Sequence, residues 1–257
     1  MADPQVAQAA LDRASGEKNL LLLYQPIHDA RTRKIYAAEA LLRQRRQSGE
    51  IREASIITET AEEGPELFAL DSSVVRTAYK DAAHWQSHGA PDVRVNVNLS
   101  PREFQERNVI QRLTGLITGC GIDTHKINLE ITETAYIDKP EETMDVLEAI
   151  RNLGVSLWLD DFGTGHSSIT HLQHFPVDGL KIPGSFVKGI LDEPRCRSIT
   201  RALIALAHEL GMKVIAEEIE KEEQLEFLLA CECEYIQGFL FSKPMTLEDF
   251  EKLLGVR

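Results

Sequence analysis

The chain has 257 residues, with 28 Lys and Arg against 41 Asp and Glu, and a formal net charge of −13. Its 43% hydrophobic and 27% charged residues are typical of a soluble globular protein and exclude a fibrous or disordered one. The longest apolar run, Ala202–Ala207, is far shorter than the roughly 18 residues of a membrane span. Membrane insertion by this chain is therefore not expected. Binding to a nucleic-acid polymer requires a basic surface, so the negative net charge argues against that partner.

The amino-terminal residues lack the basic start and apolar core of a secretory signal. Four cysteines are too few for a disulfide framework in a chain of this length, so a cytoplasmic location is expected. Residues 1–17 are predicted to form a polar leader, either a short helix or the remnant of a linker. Residues 18–257 are predicted to form the folded domain.

Strand-like apolar runs alternate with helical patterns along this domain. One helix is predicted from the spacing of Ile199, Leu203, Leu206 and Leu210, with Gly211 closing it. Eight such strands with intervening helices favour the α/β class and a modified TIM-type (β/α)8 barrel, with a doubly wound open sheet as the rival. The predicted strands are Leu20–Ile27, Ile35–Leu42, Val93–Leu99, Ile127–Thr132, Val155–Asp160, Gly179–Ile182, Lys213–Ala216 and Tyr235–Phe239.

The connection between the first two predicted strands is too short for a parallel arrangement. Only His28 to Lys34 separate them, whereas a parallel crossover requires a dozen or more residues. The first strand should therefore pair antiparallel with the second, which gives a barrel with one reversed strand.

Polar residues interrupt these apolar strands at or near their carboxyl ends. In a barrel those ends converge on one face, where active sites are built. Glu39 lies within the second strand, and alternation places Ala37, Glu39, Leu41 and Arg43 on a common face. The residues at the other strand ends are Asn98, Glu130, Asp160, Asp161, Lys181, Glu217 and Gln237.

The charges of these residues predict a metal site. Five carboxylates at one opening face one lysine and one arginine, and like charges this close raise one another's pKa. Bound divalent cations would resolve that conflict, and oxygen ligands without nearby Cys or His favour Mg²⁺ or Mn²⁺. The number of ligands suggests two ions about 4 Å apart, an arrangement suited to in-line displacement at phosphorus. Some of these acids could instead be helix caps or surface residues.

At these positions the chain resembles the EAL domain family, the cyclic di-GMP phosphodiesterases of bacterial second-messenger signalling. The triplet Glu39-Ala40-Leu41 stands inside AAEALLR, and DDFGTG occupies residues 160–165. The other signatures follow in family order as YQPI (24–27), VNLS (97–100), LEITET (129–134), LKI (180–182), AEEIE (216–220) and QGFLFSKP (237–244). The resemblance covers roughly residues 18–257.

The resemblance implies metal-dependent hydrolysis of cyclic di-GMP to linear pGpG, with two divalent cations as cofactors. It implies that Lys181 contacts the attacking water, that Gln237 lies at the water and metal site, and that Glu133 holds the DDFGTG loop. Members of the family bind the dinucleotide at the positions of Gln25, Leu41 and Arg43. The resemblance also implies a homodimer whose subunits meet near the DDFGTG loop. The metal ligands implied are Glu39, Asn98, Glu130, Asp160, Asp161 and Glu217.

Several positions depart from the family pattern. The family's Trp-x-His-Pro after LLR is replaced by Gln44–Gln47, and the loop tyrosine is His166. The pattern LKID-Arg-Ser-Phe reads LKI-Pro183-Gly184-Ser185-Phe186, and AEGVE becomes AEEIE with Glu218 in place of glycine. None of these changes removes a metal ligand, although Pro183 is expected to affect Lys181 or a substrate contact.

Two other functions remain open from the sequence. A receptor of the same fold could bind the dinucleotide without cleaving it, and a scaffold could retain a vestigial site. Either would be expected to have lost one of the carboxylates or the lysine, and all are present, which favours the enzyme. Lys181 is expected to lie among these acids with no obligatory structural partner.

Overall fold

The computed structural model describes residues 20–46, 48–53, 65–101, 104, 108–132, 140–163, 172 and 175–256, with the backbone alone for 65–69 and 140–142. The predicted polar leader, residues 1–17, lies outside the described residues. The described strands are β1 Leu20–Asp29, β2 Ile35–Arg45, β3 Ile51–Glu53, β4 Arg94–Leu99, β5 Ile127–Thr132, β6 Ser156–Asp160, β7 Gly179–Ile182, β8 Lys213–Ala216 and β9 Tyr235–Ile236. The described helices are α1 Pro65–Ser87, α2 Val109–Gly119, α3 Pro140–Arg151, α4 Gly184–Lys188, α5 Pro194–Glu209, α6 Glu222–Ala230 and α7 Leu247–Leu254.

Eight strands form a closed ring in the order β1, β2, β4, β5, β6, β7, β8, β9 and back to β1. Strand β2 pairs in parallel with β4, and from β4 to β9 each strand pairs in parallel with the next one along the chain. Strand β1 pairs antiparallel with both of its neighbours, β2 and β9. The predicted barrel with a reversed first strand is confirmed, and the rival open sheet is wrong. The short turn before Ile35 leaves no room for a crossover helix, so β1 can only fold back on β2.

The strand boundaries match the predicted ones to within three residues at each end. β2 continues to Arg45, because β3 pairs with its last residues in an antiparallel ladder. β3 was not predicted, since Ile51–Glu53 is short and has all three residues exposed. The last strand ends at Ile236 rather than Phe239, so Gln237 follows β9 instead of lying within it.

Helix α5 confirms the helix predicted from its leucine spacing, and Gly211 just beyond it has a φ of +74°. Its buried residues are Thr200, Ile204 and Ala207, whereas Ile199 and Leu210 are each 41% exposed. Spacing alone identifies the helix but not which of its faces meets the barrel. Among the helices in the described part of the chain, none is both long and apolar enough to cross a membrane.

Apolar residues pack on both sides of the barrel strands. The larger group fills the layer between the barrel and its helices. A smaller group inside the barrel comprises Ile27, Ala37, Trp158, Ile215 and Tyr235. Trp158 fills this interior because β7 has Gly179 opposite it, where an added Cβ would clash with the indole ring. These residues support the polar face above them.

An aromatic cluster attaches α1 and α7 to the reversed strand. The Tyr24 ring lies 5.4 Å from the Trp85 ring and 6.0 Å from the Phe250 ring, between centroids. The Tyr24 hydroxyl donates a 2.5 Å hydrogen bond to Oδ2 of Asp81, a residue of α1 that is only 5% exposed. Burial raises the pKa of Asp81 to about 6, against the lowering effect of that hydrogen bond.

We predict that Asp81→Asn changes how stability depends on pH. The ordinary pKa is 3.8, so between about pH 4 and 6 the folded chain retains a proton that the unfolded chain has lost. The contribution of Asp81 to stability therefore falls as the pH rises through this interval, by up to about 3 kcal/mol. Asparagine can still accept the Tyr24 hydrogen bond but has no charge.

Urea unfolding at pH 4 and pH 7.5 measures this effect. The free energy of unfolding of Asp81→Asn should rise relative to the parent between the two values. Asp92, whose side chain is 94% exposed, provides the control variant Asp92→Asn. An Asp81→Asn variant that keeps a constant difference from the parent at both pH values would contradict the prediction.

Candidate active site

Lys181 lies at the centre of the carboxyl face of the barrel and is 1% exposed. Its Nζ atom lies 2.7 Å from Oε1 of Glu217 and 2.8 Å from Oε2 of Glu130. It also lies 3.3 Å from Oδ2 of Asp160 and 3.7 Å from Oε2 of Glu39. One ammonium group thus contacts carboxylates from four different strands or strand ends.

These contacts correct one expectation. Lys181 does have structural partners, and burial alone would lower its pKa. The surrounding carboxylates, Asp160 and Glu130 first among them, outweigh burial and raise the pKa of Lys181 well above its usual value. The ammonium group therefore stays charged and compensates part of the buried negative charge.

Two side-chain amides orient Glu39. Asn98 Nδ2 donates to Oε1 at 2.9 Å, and Gln237 Nε2 donates to Oε2 at 2.8 Å. Burial opposes ionisation of Glu39, but the Lys181 charge and these two hydrogen bonds outweigh it and lower its pKa. Glu39 is thus an ionised carboxylate with both oxygens engaged.

Three neighbouring acids, Glu130, Asp161 and Glu217, hold their protons more strongly than Glu39 does. Burial raises the pKa of Glu217 to about 7 against the opposing charge of Lys181. Burial and neighbouring carboxylates also raise the pKa of Glu130 well above its usual value. Burial and then the charge of Asp160 raise the pKa of Asp161. The cluster therefore contains more negative charge than one lysine can compensate.

The donor atoms of this cluster fit a divalent cation. Carboxylate oxygens of Asp160, Asp161 and Glu217 all lie within 4.8 Å of one another. Asp161 adopts a left-handed backbone with φ +56°, and its amide donates to Oδ1 of Asp160 at 2.9 Å. The set offers hard oxygen donors and excess negative charge, which suit a hard divalent cation.

A cleft of about 390 Å³ adjoins the cluster, and Gln25, Leu41 and Arg43 line it together with Glu39 and Glu217. The side chain of Arg43 is 18% exposed, and its Nη1 donates to the backbone oxygen of Leu42 at 3.0 Å. Its Nη2 lies 3.9 Å from Oε1 of Glu53 on β3, which is itself 75% exposed. The guanidinium group can therefore turn towards an anion at small cost.

The structure brings most of the predicted site residues together. Seven of them, Lys181 included, form one cluster of hydrogen bonds and ion pairs. Asp161 lies beside this cluster, and three others line the cleft. Glu133 lies outside the described residues, as do the last two residues of DDFGTG and the residues after them up to 171. The predicted dimer surface near this loop is therefore untested. The cluster consists of Glu39, Asn98, Glu130, Asp160, Lys181, Glu217 and Gln237.

The sequence analysis missed two asparagines beneath this cluster, Asn96 and Asn128. Both are fully buried, and Asn96 Nδ2 donates to Oε1 of Glu130 at 2.6 Å. Each stands two residues before a predicted site residue on the same strand. This period-2 spacing was the available signal, because it places them on the inward face.

Gly184 and Glu218, two departures from the family pattern, are structurally linked. The side chain of Glu218 covers Gly184, so that a Cβ added there would lie 2.7 Å from the Glu218 Cβ. Glu218 has φ +55°, a left-handed conformation that favours glycine, and its carboxylate pairs with Lys188. The family pattern has arginine at position 184 and glycine at position 218. This chain has the reverse arrangement, with the small residue at 184 and the large one at 218. Pro183 precedes α4 and leaves Lys181 within its ion pairs.

The fold and this site define an α/β barrel with a cluster of acidic residues at the carboxyl ends of its strands. The model of the EAL domain family matches residues 8–244, and the chain belongs to that family. Cyclic di-GMP phosphodiesterase NbdA of Pseudomonas aeruginosa is 34% identical over 244 residues, which are 95% of this chain and 31% of NbdA. The chain spans about a third of the length of the curated relatives it matches.

Solved structures have the same fold. The EAL enzyme Bd1971, in a form that binds cAMP and cyclic di-GMP, superimposes with a TM-score of 0.89 at 31% identity, over 98% of this chain and 69% of that one. The PaMucR phosphodiesterase in complex with cyclic di-GMP gives a TM-score of 0.86 at 28% identity, over 95% and 99% of the two chains.

We predict that Gly184→Ala destabilises the parent by about 1–3 kcal/mol, because the new Cβ displaces the Glu218 side chain. In a Glu218→Gly background the same substitution should cost much less, since nothing then covers position 184. Urea unfolding of the four proteins gives the coupling free energy. Gly115→Ala, where a Cβ meets no other atom within 4 Å, is the control. Equal costs of Gly184→Ala in both backgrounds would show that the two positions are independent.

Proposed function

We propose that this chain hydrolyses cyclic di-GMP to linear pGpG with two divalent cations, Mg²⁺ or Mn²⁺, and so ends a bacterial second-messenger signal. The observation that carries the proposal is the acid cluster around Lys181, in which every described ligand position of the family holds a suitable side chain. Relatives named as cyclic di-GMP phosphodiesterases and neighbours crystallised with the dinucleotide support the substrate.

The carboxylates would hold the cations. One compact group of ligands would be the carboxylates of Asp160, Asp161 and Glu217. Further ligands would be Glu39, Glu130 and the amide oxygen of Asn98. Bound cations would lower the pKa of a water and offset the negative charge that develops as the phosphodiester opens.

Lys181 would orient the attacking water. Its three N–H donors meet three carboxylate oxygens within 3.3 Å, and the contact with Asp160 is the longest of them. Glu130 and Glu217 fix the direction of the ammonium group, which leaves the donor towards Asp160 available when that carboxylate turns to another partner. An ammonium group there also stabilises negative charge in the transition state. Gln237 would contribute by holding the carboxylate of Glu39.

Gln25, Leu41 and Arg43 would bind the dinucleotide in the cleft. The substrate is a dianion and the chain carries a net charge of −13, so attraction must come from local groups rather than the overall field. The forked N–H donors of Arg43 suit a phosphodiester oxygen pair.

Product analysis tests this function directly. The chain is incubated with cyclic di-GMP and Mg²⁺ or Mn²⁺, with a chelator, and with Ca²⁺, and the nucleotides are separated by chromatography. We expect pGpG with Mg²⁺ or Mn²⁺ and none with chelator or in a folded Asp160→Asn variant. Binding without cleavage under every condition would instead indicate a receptor, and no binding at all would contradict both functions.

We predict that Lys181→Met lowers turnover by at least about 10²-fold, equivalent to about 3 kcal/mol of activation free energy. Methionine keeps much of the buried volume but leaves the carboxylates without their ammonium partner. Stability should therefore also fall, and Mn²⁺ should restore much of it because added cations replace the lost charge. Turnover and melting temperature with and without Mn²⁺ are the measurements, and exposed Lys34→Met is the control. Parent-like turnover in Lys181→Met would rule out the proposed role.

We predict that Arg43→Ala raises KM for cyclic di-GMP about tenfold or more and changes kcat little. We propose that Arg43 binds a phosphate equally strongly in the ground state and in the transition state. Removing such an interaction raises KM and leaves kcat unchanged. Glu53→Gln, which removes the competing carboxylate, should leave KM unchanged or lower it. Steady-state kinetics at saturating Mn²⁺ measure both variants. An unchanged KM in Arg43→Ala would show that the guanidinium group does not bind the substrate.

A further inference from the structure

A chain of hydrogen bonds crosses the barrel interior beneath the acid cluster. Arg94 Nη1 donates to Oδ1 of Asn128 at 3.4 Å, and Asn128 Nδ2 donates to Oδ1 of Asn96 at 2.8 Å. Asn96 Nδ2 then donates to Oε1 of Glu130 at 2.6 Å. Arg94 begins β4 and Glu130 lies near the end of β5, so the chain joins the two ends of the barrel.

The two ends of this chain determine the direction of every bond in it. A guanidinium group can only donate, so the oxygen of Asn128 faces Arg94 and its nitrogen faces Asn96. Asn96 consequently presents its oxygen to Asn128 and its nitrogen to Glu130. A carboxylate accepts that last bond, so no amide in the chain can be reversed without losing a partner.

Burial makes the arrangement costly to leave incomplete. Asn96, Asn128 and Glu130 have no exposed surface, and Asn96 and Asn128 are direct neighbours in the parallel ladder. A buried amide without a partner costs about 1–3 kcal/mol. Beside them the barrel interior is filled by apolar side chains such as Trp158 and Ile215. Similar apolar residues could fill these two positions, so packing does not require the asparagines.

We propose that Asn96 is a positioning residue for the cation site. Its amide, oriented by Asn128, holds one oxygen of Glu130 and so directs the other, Oε2, to Lys181 and the acid cluster. Without this donor, Oε1 loses its partner, and the contact of Oε2 with Lys181 must orient the carboxylate instead. The inference rests on the proposed function, in which Glu130 is a metal ligand.

Binding of Mn²⁺ alone tests the inference, with free Mn²⁺ measured by electron paramagnetic resonance. Asn96→Leu should weaken Mn²⁺ binding about 10- to 100-fold, the usual effect of removing a partner that orients a metal ligand. In Asn96→Leu the buried amide of Asn128 loses its acceptor. The double variant Asn96→Leu/Asn128→Leu removes both amides, so that no unpaired amide remains at position 128. It should therefore recover stability relative to Asn96→Leu without recovering the affinity for Mn²⁺. The exposed Asn152→Leu is the matched control.

Two results would overturn the inference. One is Mn²⁺ affinity equal to the parent's in Asn96→Leu, and the other is affinity that recovers together with stability in the double variant. If Asn96→Leu does not fold, the double variant and Asn96→Ser, whose hydroxyl is too short to reach Glu130, provide the comparison. If the parent binds Mn²⁺ but releases no pGpG, the proposed function fails while the role of Asn96 is still measured.

Discussion

The ion pairs between the buried ammonium group of Lys181 and its surrounding carboxylates determine how the carboxyl face of this barrel is arranged. Moving each charge out of water costs several kcal/mol, so the acids can be buried only beside a cation or as protonated groups. Burial first, and then the neighbouring carboxylates that one lysine cannot compensate, raise the pKa of Glu217 and that of Glu130. The remaining negative charge is the basis of the proposal that this face binds divalent cations.

Closure of the barrel brings these charges together. The reversed strand β1 lies between β2 and β9 and joins the two ends of the sheet. Gln237, which follows β9, can then donate to Glu39 on β2 across a sequence separation of 198 residues. The same closure places the Arg43 end of β2 beside the cleft. An open sheet would leave these groups far apart.

The sequence alone predicted the reversed strand, the barrel and the convergence of polar strand ends, because strand alternation and connection length are local properties. It placed Lys181 among acids but could not predict that the ammonium group is buried and pairs directly with four of them, since this depends on side-chain distances across a closed ring. Asn96 and Asn128 were missed because each stands just before a recognised motif, and only the period-2 spacing from Asn98 and Glu130 marked them as inward-facing. The match of Gly184 to Glu218 required knowledge of which side chain covers which backbone atom, and β3 has too few buried residues to form a pattern.

The central claim is that this acidic face binds divalent cations through its carboxylates. A crystal of the chain soaked in Mn²⁺, with anomalous diffraction recorded near the manganese absorption edge, tests it most directly. The account predicts anomalous peaks ligated by carboxylate oxygens of Asp160, Asp161 and Glu217. A map with no peak at these residues, and with Lys181 as the sole counter-charge of the cluster, would contradict the account.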